Sequence, residues 1–129
     1  MTSIFTKIIN KEIPCFKIHE DDNCIAFLDI NPNSIGHTLC VLKKEIDYLF
    51  NLSSNEYTML MNFSKKVASG IEKSVDCKRI GLAVVGLEVP HVHIHLIPIN
   101  SVNDMNFSNS INLKKEDFEK LKIKIKNNI

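Results

Sequence analysis

His91-Val92-His93-Ile94-His95-Leu96-Ile97-Pro98 is the stretch on which the reading of this chain turns. Histidine alternates with Val92, Ile94 and Leu96, and β-branched or aliphatic spacers at every second position suit a strand. Successive side chains of a strand point to opposite faces, so residues i, i+2 and i+4 share one. The three imidazoles are therefore expected on one face and the three aliphatic side chains in a core on the other.

Working outward, Arg79 to Val85 reads as a mostly apolar strand, and Gly86-Leu87-Glu88-Val89-Pro90 turns the chain so that the histidine strand returns antiparallel to it. Thr38 to Leu42 reads as another strand, entered through the breaker-rich loop Asn31-Pro32-Asn33-Ser34-Ile35-Gly36. Phe16 to His19 and Cys24 to Asp29 form a hairpin about the turn Asp21-Asp22-Asn23. Ile4, Phe5, Ile8 and Ile9 have the spacing of a short opening helix. Ser53 and Glu56 match a capping box, followed by a long helix with Leu60, Phe63, Val67, Ile71 and Val75 on its apolar stripe. Asn100 to Asn109 reads as a polar loop. Phe118, Leu121 and Ile125 mark a C-terminal helix, about 113–127, with a lysine-rich outer face that reads as solvated. The fold class is α+β, with about five antiparallel strands and helices against one face.

The chain of 129 residues fits one domain with a real core. A formal net charge of +1 supports neither a nucleic-acid nor a membrane partner. Its four cysteines, Cys15, Cys24, Cys40 and Cys77, contain no C-x-x-C pair. With no signal-like or bilayer-spanning stretch, the expectation is free thiols in the cytoplasm.

Three chemistries compete for the histidine strand. A structural role requires a partner for every buried imidazole. A metal site could use an H-x-H pair, with His37 or His95 as a further ligand. However, His91 and His95 lie about 13 Å apart along a strand, so those two do not share an ion. The third is nucleophilic catalysis. A neutral imidazole attacks phosphorus well when its other nitrogen is held by an acceptor. Its flanking histidines then hold phosphoryl oxygens and protonate the leaving group.

The run resembles the signature of the histidine triad (HIT) family, His-φ-His-φ-His-φ-φ. Ile4-Phe5-Thr6-Lys7-Ile8-Ile9, Glu12-Ile13-Pro14, Glu20-Asp21-Asp22 with Ala26-Phe27-Leu28-Asp29-Ile30, and Gly36-His37-Thr38-Leu39 resemble consecutive blocks of its Hint-like branch. The resemblance implies a single domain over 1–129, with a catalytic core over about 3–99, and a five-stranded antiparallel sheet with two main helices. It further implies a homodimer whose sheets join. The implied activity is hydrolysis or nucleotidyl transfer at the α-phosphate of purine nucleotide conjugates through a nucleotidyl-histidine, without cofactor or metal. His93 would be the nucleophile, and His91, His95 and His37 would bind phosphate oxygens and relay protons. Asp29 would hold the ribose hydroxyls, and Phe5, Ile8, Phe27 and Ile30 would wall the base, although all four apolar residues would serve equally in a core. His19 has no counterpart and is expected at the surface.

The sequence departs from the family at two places. Before the triad, Gly86 stands where an asparagine is usual and Glu88 where a serine would meet the phosphate or leaving group; an ionised carboxylate there repels a phosphate. Ser3 and Thr6 stand where some bacterial relatives carry a zinc-binding C-x-x-C, so no zinc is expected at that place. The alternatives are a nucleotide-binding dimer with little turnover and, third, a metalloenzyme using the H-x-H pair.

Overall fold

The computed structural model describes residues 2–129. Helix α1 (Ile4–Ile9) leads into a hairpin of β1 (Lys17–Glu20) and β2 (Cys24–Leu28), followed by β3 (Thr38–Leu42), the long helix α2 (Ser54–Ser74), β4 (Arg79–Ala83), β5 (His93–Ile99) and α3 (Lys115–Asn127). Two short 3-10 turns, Leu49–Asn51 and Val102–Met105, interrupt the loops. The strands form one antiparallel sheet in the order β1-β2-β3-β5-β4. The α+β reading therefore stands, with the histidine strand paired on both sides and not at an edge.

Local chemistry explains the boundaries. Asp21 Oδ1 accepts from the backbone N–H groups of Asn23 (2.8 Å) and Cys24 (2.7 Å), which closes the β1–β2 turn. Ser53 caps α2 and Glu56 reaches back to the Ser53 N–H at 2.8 Å, satisfying two donors that a helix start leaves free. The Cβ of any other residue at Gly36 would lie 2.9 Å from Val75 Cγ2, and its φ of +97° is a left-handed one, so the residue before His37 must be glycine.

Strand alternation divides the interior in two. Helices α2 and α3 cover one face, where Ala26, Leu28, Cys40, Leu42, Val92, Ile94 and Leu96 meet Leu60, Phe63, Val67, Ile71, Phe118 and Ile125. Each of the Val, Leu, Ile and Phe side chains among them contributes roughly 1.5–3 kcal/mol by leaving water. On the opposite face α1 lays Phe5 over Ile25, Phe27, Leu39 and Val41. The histidines belong to this second face.

Several boundaries differ from the sequence reading. β5 begins at His93, and His91 and Val92 form the bend leading into it. β4 ends at Ala83, not at Val85. The segment at 100–109 contains a 3-10 turn. His19 is half-buried and stacks on Phe63, ring centroids 5.5 Å apart, because the β1 bulge between Lys17 and His19 places it beside α2. The four cysteines are free thiols. Among the described residues, no helix is long and apolar enough to cross a membrane.

Candidate active site

The three triad histidines occupy different environments along one line. His91 is fully buried, His93 is 6 % exposed and His95 is the most open of the three. Hydrogen bonds fix the tautomers. A carbonyl only accepts, so His91 Nε2 carries a proton and donates it to the Leu42 carbonyl at 2.6 Å. His91 Nδ1 meets Ser3 Oγ at 2.6 Å. Both its nitrogens are thus engaged, and the ring presents no free one to a ligand. What His91 does offer its neighbour is its backbone: the His93 Nδ1–H donates to the His91 carbonyl at 2.6 Å. That bond leaves the Nε2 lone pair of His93 unprotonated.

Ser3 and Thr6 form a polar clasp. The Ser3 N–H and the Thr6 hydroxyl both donate to Glu45 Oε1 at 2.6 Å. These bonds, the Ser3 N–H first, hold the exposed Glu45 carboxyl below the usual carboxylate range. The clasp joins the start of α1 to the loop after β3 and to His91.

A second chain of bonds runs in from the loop before β3. The Asn33 N–H donates to His37 Nδ1 at 2.9 Å, so the neutral His37 ring carries its proton on Nε2. That proton faces His95 Nδ1 at 3.0 Å, which in turn leaves the His95 proton on its Nε2. Burial, with His95 next, pushes His37 down to about 3. Burial, with His93 next, pushes His95 down to about 4. Burial also lowers His93, partly opposed by its bond to the His91 carbonyl. Both rings of the chain are neutral near neutrality, so the 3.5 Å approach of His37 Nε2 to Asp29 Oδ2 is not an ion pair.

Asp29 directly follows β2, is half-buried and accepts from the Asn31 N–H at 2.9 Å. Burial raises its pKa, the Asn31 bond opposes that, and the charge of Glu88 adds to the rise. Glu88 is exposed on the β4–β5 loop, and its charge also reaches His93. Gly86, on the same loop, has φ +74° with nothing within 4 Å of a would-be Cβ, so backbone conformation and not crowding favours glycine there.

Phe5 and Phe27 are buried and pack edge-on at 5.6 Å; Phe5 also packs edge-on against His93 at 4.8 Å. Ile8 is half-buried beside them, whereas Ile30 is 67 % exposed. Phe5 and Phe27 are thus members of a core, and Ile8 and Ile30 are the residues with surface left to offer a ligand. The structure also adds a residue that the sequence reading passed over. Phe107 lies edge-on to His95 at 4.7 Å and 6.3 Å from His37. Its only signal in the sequence is being an aromatic residue in a polar loop.

The metal alternative was built on adjacent H-x-H histidines. Among the described residues, the group whose ligand atoms converge within 4.8 Å is instead Asp29, His37 and His95. In that group the His37 Nε2 proton already fills the gap, and a metal would have to displace it or break the Asn33 bond.

A profile of the HIT domain matches residues 10–102. An uncharacterized HIT-like protein of Borreliella burgdorferi is 36 % identical, covering 98 % of this chain and 97 % of its own length. The adenosine 5'-monophosphoramidase hnt1 of Schizosaccharomyces pombe is 34 % identical over 76 % of this chain and 74 % of its own. In structure, a Hit-like protein of Bartonella henselae involved in cell-cycle regulation superposes with a TM-score of 0.87 at 29 % identity, covering 99 % of this chain and 96 % of that one. Triad, fold and relatives agree, and the chain belongs to the HIT family.

Proposed function

We propose that this protein hydrolyses purine nucleotide conjugates at the α-phosphate, nucleoside phosphoramidates foremost, through a nucleotidyl-histidine on His93. Support comes from family membership, with its implied hydrolase activity on nucleotides. The observation that carries the reading is the His93 tautomer: Nδ1–H is held by the His91 carbonyl at 2.6 Å, which reserves Nε2 for attack.

In this reading the Nε2–phosphorus bond forms as the bond to the leaving amine breaks. The amine takes one proton, drawn from solvent through His95. Water then attacks phosphorus, frees the nucleoside monophosphate and restores neutral His93, and the surplus proton returns to solvent by the same route. Asp29 accepts the ribose hydroxyls, and Ile8 and Ile30 cover the base. His91 supports this step through its carbonyl and its buried bonds, and needs no phosphate contact of its own.

The test is AMP release from an AMP phosphoramidate by the His93→Ala protein, together with mass-spectrometric trapping of the adenylated intermediate in the unaltered protein. A loss on the order of 10³-fold or more is expected. Full retained activity overturns the nucleophile assignment.

One observation favours the second reading, a nucleotide-binding protein with little turnover. Glu88 adds negative charge where Asp29 and His93 feel it. Calorimetry with AMP beside a turnover assay separates the two readings: tight binding without turnover favours the second. The expected homodimer is part of this proposal. β4 is a sheet edge, and Leu82 within it and Val85 just past it are about half exposed, as suits a pairing edge. Loss of the dimer in a Leu82→Lys protein, read by sedimentation, tests it.

A further inference from the structure

Five aromatic rings stand in sequence across the α1 side of the sheet. Phe27 touches Phe5, Phe5 touches His93, His93 touches His95 and His95 touches Phe107, with centroid separations of 5.6, 4.8, 5.0 and 4.7 Å. The two phenylalanines at the first end are buried. Phe107, at the other end, is 45 % exposed although it is not on a free loop. Asn33, itself buried, donates from Nδ2 to the carbonyls of Asp104 (3.1 Å) and Asn106 (3.3 Å), which clamps the segment on both sides of Met105. The same residue gives its backbone N–H to His37. One side chain thus holds the loop while its own main chain fixes the tautomer of the histidine beneath it. Phe107 also lies beyond residues 10–102, the part matched to the family.

From this geometry we infer that Phe107 is a specificity-determining wall for the leaving group, favouring amines with an apolar or aromatic body, and that Asn33 is the positioning residue that holds it. The inference rests on the proposed hydrolysis at phosphorus, and the argument is one of adjacency. His95 is the ring with a free N–H beside the nucleophile, so the departing atom meets His95. Whatever that atom carries then meets the ring packed against His95. An exposed aromatic face gains by covering itself with a flat apolar group, in offset or edge-to-face contact. Ammonia as the leaving group has no body with which to reach it.

The experiment compares kcat/KM for AMP phosphoramidate, which releases ammonia, with that for AMP N-phenethyl phosphoramidate. In Phe107→Ala the preference for the phenethyl substrate is expected to fall about tenfold, the size of one good aromatic contact. Phe107→Trp restores it. Asn33→Ala keeps the N–H to His37 but loses both loop bonds, and shifts the preference the same way by a smaller factor. Equal losses on both substrates, or an unchanged preference in Phe107→Ala, overturn the assignment.

Binding of the non-hydrolysable phenethyl carbamate of adenosine, by calorimetry, separates this inference from the one beneath it. If the unaltered protein turns over neither substrate, the proposed hydrolysis fails. The wall then stands if Phe107→Ala weakens carbamate binding about tenfold relative to AMP, and falls if it does not.

Discussion

The two faces of the sheet are built by the same strands and do opposite things. Toward α2 and α3, the β5 segment presents Val92, Ile94 and Leu96 to an aliphatic core with 2 % exposure or less. Toward α1 it presents His91, His93 and His95, each with its ring nitrogens in hydrogen bonds or held ready. The first face needs volume and dryness. The second needs a particular atom of each ring to carry the proton. A substitution one residue along the chain should therefore move stability on one face and chemistry on the other.

The largest effect should come from setting His93→Ala against its neighbour Ile94→Ala. The first removes turnover on the order of 10³-fold while far-UV circular dichroism stays native. The second opens a cavity under α2, costs about 2–5 kcal/mol in urea unfolding and leaves kcat per folded molecule within a few-fold. A reversal of this pattern would break the division between the faces.

Ser3→Ala comes next. It removes the hydroxyl that meets buried His91 Nδ1 and leaves that nitrogen without its 2.6 Å partner, at a cost of about 1–3 kcal/mol. Because His91 supplies the carbonyl that orients His93, kcat should fall as well, with Ser3→Thr recovering part of it. Unchanged kcat with lowered stability would confine the clasp to structure.

The smallest effects concern pH. His37 and His95 are held at about 3 and about 4 against an ordinary 6.5. Between those values the unfolded chain binds more protons than the folded one, so stability rises with pH there. Their contribution is complete above 6.5, is lost progressively as pH falls below it, and is gone once pH has passed through 4 and then 3. Between about pH 6.5 and 5, the unfolding free energy of His37→Asn, from urea titrations, should decline less steeply than that of the unaltered chain, by up to about 1.4 kcal/mol per pH unit. The acid limb of kcat/KM should lie below 6.5, since His93 too is lowered. An acid limb at or above 6.5 would show that the second face is wetter than its geometry.

Much of this division was legible beforehand. Alternation over His91 to Leu96 assigned the two faces correctly, because period-two patterning needs only the chain's own sequence. The capping box at Ser53 and Glu56 and the turn at Asp21 were equally local. The early end of β4, the stacking of His19 and the bend at His91 were not, since each depends on what a distant segment places alongside. Among the proposed site residues, sequence grouped Phe5 and Phe27 with Ile8 and Ile30; burial separates the first two from the others. Phe107 was illegible because its contacts with His95 and His37 arise from Asn33 bonding across about seventy positions, which no spacing rule encodes. The bond from Ser3 to His91 Nδ1 was illegible for a related reason: it joins residues 88 positions apart.

Helix α1 is six residues long, too short to persist without its docking surface. Yet it carries both the Ser3 hydroxyl on His91 and the Phe5 ring on His93. A segment of this kind opens at a fraction of the global unfolding free energy. Hydrogen exchange should therefore find the α1 amides protected less than those of β2, β3 and β5. In rising denaturant, activity should disappear while the sheet's circular dichroism is still native. The protein would then stop working before it stops being folded, with its first turn of helix acting as the fuse.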